Sequence, residues 1–91
     1  RDAAIFEPAL RPVLQELTER WVHDLAAVIS EGQSDGSIAS SATPEAAAVQ
    51  LTALVEGLSS RWLTGLLSTT DARRHLVSAT DALLTSAKVS R

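Results

Sequence analysis

The chain has 91 residues, a formal net charge of −3, a pI near 5.2, and 45% hydrophobic against 21% charged residues. That length bounds it to one small helical domain, 1–91, able to bury only about 60–65% of its unfolded surface. The acidic balance excludes a phosphate-neutralising face, the absence of Cys excludes disulfides and thiolate metal sites, and no apolar run reaches the ~20 residues that cross a bilayer.

Strand formers are sparse, with no Tyr, one Phe and two Trp among abundant Ala and Leu. The fold class is all-α, with three main helices expected at about 10–32, 44–67 and 71–86. Arg1 to Phe6 reads as the tail of an earlier helix. With no Met in the chain, Arg1 is not an initiator, and the polypeptide is expected to be a fragment or a processed product.

Pro8 and Pro12 set the start of the first helix near Ala9 to Arg11, because Pro12 is comfortable only in a first turn. Leu10, Leu14, Leu17, Trp21, Leu25 and Val28 then form one stripe, with Glu16, Glu19, His23 and Ser30 opposite. Gly36 is the expected left-handed stop. Ser37 to Ala42 forms a polar, small-residue linker. Thr43-Pro44-Glu45 supplies an N-cap, a first helical residue and an acid suited to the helix dipole.

The second helix is apolar on two opposite sides. Ala47, Leu51, Leu54, Leu58 and Trp62 make one stripe, widened by Ala48, Val55 and Leu66. Small groups make the other: Ala46, Ala53, Gly57, Ser60 and Thr64. One apolar stripe is enough for a surface helix of a monomer; two imply burial on both sides. The small stripe is assigned to a partner and the large one to the core, the reverse assignment being the alternative. Ser68 to Asp71 is a short turn with another cap. The third helix carries Ala72, Leu76, Ala79 and Leu83, with Val77 and Leu84 extending the stripe sideways. So short a turn makes the last two helices an antiparallel hairpin. The expected dimer face is Ala46, Ala53, Gly57, Ser60 and Thr64 with Val77 and Leu84.

Nothing catalytic emerges. His23 follows Glu19 by four residues, but no second His completes a metal pair, and the two read as a solvated pair. Arg73, Arg74 and His75 point in different directions and read as a solvated or interface group. Glu56 lies between the two stripes and is expected to pair with Arg61 or Arg73. No metal site and no cofactor is expected.

The order Glu31-Gly32-Gln33-Ser34-Asp35-Gly36-Ser37-Ile38, Thr43-Pro44-Glu45-Ala46-Ala47-Ala48, Leu51-Thr52-Ala53-Leu54-Val55-Glu56-Gly57-Leu58 and Arg61-Trp62-Leu63 resembles the C-terminal part of TetR-family transcriptional regulators. Asp71, Arg73-Arg74 and Ala82-Leu83-Leu84 fit the same pattern. The resemblance implies a cytoplasmic bacterial homodimer whose last two helices build a four-helix bundle. It also implies a cavity for a small, apolar effector, and DNA binding only through an N-terminal helix-turn-helix that is missing from this chain. A remaining pocket is expected near Trp21, Leu25 and Trp62. The alternatives are a free-standing helical interaction module and a small dimeric enzyme of chorismate-mutase type. The latter needs convergent Arg or Lys side chains, whereas the arginines here are scattered and Lys88 is the only lysine.

Overall fold

Proline and glycine punctuate the chain and mark where its helices begin and end. The computed structural model describes residues 8–85. It contains a 3-10 turn at Pro8–Leu10 followed by α1 (Arg11–Ser34), α2 (Pro44–Leu63) and α3 (Thr69–Leu84). The described residues form no strand. The expected helical tail at Arg1 to Phe6 lies outside them, as does Ser86.

Pro12 falls in the first turn of α1, where its missing N–H costs nothing. Gly36 ends that helix at φ +87°, donating to the Gln33 carbonyl at 3.3 Å. The second helix stops four residues earlier than expected. Gly65 adopts φ +81° and donates to the Trp62 carbonyl at 3.1 Å, while Leu66 donates to Arg61 at 2.8 Å. This paired bonding is the Schellman arrangement, which requires a left-handed residue just past the helix. Leu66 and Leu67 therefore belong to the turn. Pro44 opens α2 as expected, yet Thr43 makes no side-chain cap bond. Ser68 does cap α3: its Oγ accepts from the Asp71 N–H at 3.0 Å.

The linker between α1 and α2 is pinned at several points. The Gln33 side-chain amide donates to the Ala39 and Ala42 carbonyls at 2.9 and 2.7 Å. Ile38 returns to Gly32 through a backbone bond of 3.0 Å. Ala39 donates to the carbonyl of Leu84 at 2.9 Å, tying the linker to the end of α3.

α2 packs on α1 along one side and on α3 along another. The buried hydrophobics are Ala26, Ile29, Ala39, Ala47, Ala48, Leu51 and Leu58, with Val22, Leu25, Ile38 and Leu84 packed against the central cluster. Most of that core is alanine, which brings α1 and α2 close but removes little apolar surface from water. Thr52 is also buried, and its hydroxyl is satisfied by the Ala48 carbonyl at 2.9 Å.

The large-residue stripe of α1 does not form its packing face. Leu25 is shared, but the helix turns Val22, Ala26, Ile29 and Gly32 inward. Leu10, Leu14, Leu17, Trp21 and Val28 stay exposed, Val28 by 57%. Small side chains decide the outcome: Ala26 meets Ala47 and Ala48, where a ridge of leucines would hold the helices apart.

Candidate functional site

The molecule is a slab 49 × 29 × 14 Å in extent. Helix layers stack about 8–10 Å apart, so a helix covered above and below needs a slab at least ~20 Å thick. A thickness of 14 Å leaves α2 open on a broad face.

At about 100° per residue, the buried side chains of α2 occupy one arc: Ala47, Ala48, Leu51, Thr52 and Leu58. The small stripe of Ala46, Ala53, Gly57, Ser60 and Thr64 is centred about 180° away, and all five residues are exposed. A Cβ added at Gly57 would meet nothing within 4 Å. Beside this face, about 100° around α2, a groove of about 370 Å³ runs between α2 and α3, lined by Leu54, Leu58, Arg61, Leu67, His75, Ser78, Ala79 and Ala82 and by no residue of the small stripe. Of its α3 residues, the sequence marks His75 as a solvated or interface group and Ala79 as part of the main stripe; Ser78 and Ala82 join them at the 3–4 helical spacing. Val77 is exposed but lies about 200° around α3 from His75. Leu84 is half-buried against the chain's own core.

A concave side formed by two further grooves holds the aromatic residues. One groove of about 250 Å³ runs between α2 and α3, lined by Val55, Leu58, Ser59, Trp62, Thr69, Ala72, Arg73 and Leu76. Another lies between α1 and α2, lined by Trp21, Val55, Glu56, Ser59 and Leu63 together with Ser60 and Thr64, the C-terminal end of the small stripe. Val55 and Ser59 belong to both, so Trp21 and Trp62 flank a shared strip of α2. Leu25 is not part of either groove; it packs on the core cluster. The Trp62 indole N–H donates to Thr69 Oγ1 at 2.8 Å, which fixes the ring as a wall of the first groove.

The charged groups make no catalytic constellation. Among the described residues the ion pair is Asp71 with Arg74. Glu56 is exposed and pairs with neither Arg61 nor Arg73, contrary to the sequence expectation. Glu56 faces the groove between α1 and α2, whereas Arg73 lines the groove between α2 and α3, and Arg61 projects about 140° around the helix from Glu56. The Arg74 guanidinium beside Asp71 holds its carboxyl below the usual carboxylate range. The hydroxyl and backbone N–H of Ser37 do the same for Asp35. No group of three His, Asp or Glu side chains suited to a metal occurs among the described residues. No described helix is long and apolar enough to cross a membrane.

Residues 1–85 match the family model described as BetI-type transcriptional repressor, C-terminal. A crystal structure of a Rhodococcus sp. protein assigned to the TetR family of transcriptional regulators superposes with a TM-score of 0.79. It is 47% identical over 89% of this chain. The chain belongs to the TetR family. It is similar to the C-terminal domain of these regulators and spans 43% of the length of the Rhodococcus protein. No curated protein matches the chain. Both TetR-family matches are to transcriptional regulators and not to enzymes, which removes the support for the chorismate-mutase alternative.

Proposed function

We propose that this chain is the dimerisation and effector-binding part of a bacterial, cytoplasmic TetR-like repressor, acting on DNA through an N-terminal helix-turn-helix outside these residues. The observation that carries the reading is the open outer face of α2. Its small stripe lies opposite the core arc and is left exposed by both helices of its own chain that pack on α2. Ala53 and Gly57 present nothing beyond Cβ, so a second helix can approach closely along that line. A two-fold dimer would bring α2 and α3 of each copy into a four-helix bundle, with His75, Ser78 and Ala82 at the flank of the interface. The concave side, with Trp21 and Trp62 over Val55 and Ser59, supplies an apolar wall for an effector. Ligand sites are mostly apolar with a few placed polar groups.

Gly57→Leu tests the dimer cleanly. Within one copy the new side chain meets open space, and replacing a helix-interior glycine adds about 0.8–1.0 kcal/mol of helix propensity. Loss of association would therefore not arise from unfolding. Sedimentation velocity on the 91-residue chain should show a dimer whose dissociation constant rises at least about tenfold in the variant, ~1.4 kcal/mol. Unchanged association would remove the small stripe from the interface.

A further inference from the structure

We infer that the groove between α2 and α3 takes an organic anion with an apolar body, a medium-chain or aryl carboxylate, and that Arg73 selects it by charge. The inference rests on the effector-binding reading above and names the chemical class that this part of the concave face accepts.

The walls are apolar: Val55, Leu58, the Trp62 ring, Ala72 and Leu76. At about 250 Å³ the groove is smaller than the ~300–1,000 Å³ usual for drug-sized ligands, so it suits a small molecule. Each of its polar groups has a proton to donate. Arg73 is the one charged lining residue and pairs with no described carboxylate, since Asp71 is engaged by the adjacent Arg74. Thr69 Oγ1 already accepts from the Trp62 indole, which leaves its own proton to give. The Ser59 hydroxyl lines the same strip. No acidic side chain is among the lining residues. A guanidinium with hydroxyl donors fits a group that only accepts, and a planar carboxylate can take two N–H bonds from one guanidinium. An ammonium of the same length would meet a like charge and find no carboxylate.

The test uses the 91-residue chain and octanoate, 1-octanol and octylamine as probes. Binding is followed at the Trp62 indole N–H signal by NMR, assigned with Trp21→Phe. Octanoate should bind saturably and shift the signal, roughly tenfold more tightly than octanol and more tightly still than octylamine. Arg73→Gln should remove the preference for octanoate over octanol while leaving helix content and association state unchanged. Equal binding of all three probes, or an unaltered preference in Arg73→Gln, would overturn the anion assignment and leave an apolar effector groove in place. Failure of every probe to move the Trp62 signal would overturn both.

Discussion

At Gly32 an added Cβ would stand 2.7 Å from Ile38 Cγ1 and 3.2 Å from Ser37 Oγ. That glycine is buried because the linker folds back onto it. Gly32→Ala must push Ile38 out of place, and we expect a loss of about 1–3 kcal/mol in urea unfolding. Gly57, in an equally helical position, has no such neighbour; the two glycines separate intrachain packing from surface left for a partner. Gln33 is the other single residue on which the linker depends. Gln33→Ala removes both of its bonds, to Ala39 and Ala42. About 1–3 kcal/mol should be lost, with faster amide exchange at Ile38 and Ala39. The carboxylates set an acid limit. Asp35 and Asp71 have folded-state pKa values held below those of the unfolded chain. Their stabilisation is complete above the unfolded value, near 3.9, and drains as pH falls through the lower folded values. Urea midpoints should drop between pH 5 and pH 2, and Asp71→Asn should flatten part of that drop.

Helix by helix, the boundaries follow local chemistry that can be read in the sequence. Pro12, Pro44 and Gly36 act where their residue types require. Gly65 was equally visible, but the apolar pair Leu66-Leu67 extended the helical period through it; the left-handed conformation at Gly65 overrides that period. Capping splits in a way composition cannot reveal, since Thr43 and Ser68 are both suitable types and only Ser68 makes the bond. Ser68→Ala should cost about 1 kcal/mol in thermal or urea unfolding, whereas Thr43→Ala should change stability by no more than a few tenths. The face of α1 was the least legible element. Its large-residue stripe and its true packing face, Val22-Ala26-Ile29, have the same period. Choosing between them needs the partner helix, whose Ala47 and Ala48 accept only a close neighbour. The grooves were half legible: two tryptophans on apolar stripes marked the concave side, but nothing in the order of residues placed Arg73 and Thr69 beside Trp62.

For the molecule as a whole, the thin slab and alanine-rich core leave much apolar surface uncovered. Leu63 and Leu66 are 75% and 78% exposed, and the outer arc of α2 is bare. A domain of this size buries too little on its own to be strongly stable, so association should add to stability by mass action. The melting temperature is expected to rise with protein concentration, and to lose that dependence in Gly57→Leu. The most direct test is a mixed sample of isotope-labelled and unlabelled chains, in which NMR detects only contacts between different copies. Intermolecular contacts at Ala53, Gly57 and the Ala82 methyl are the predicted result. A monomer at every concentration, or intermolecular contacts confined to Trp62 and Val77, would contradict the account.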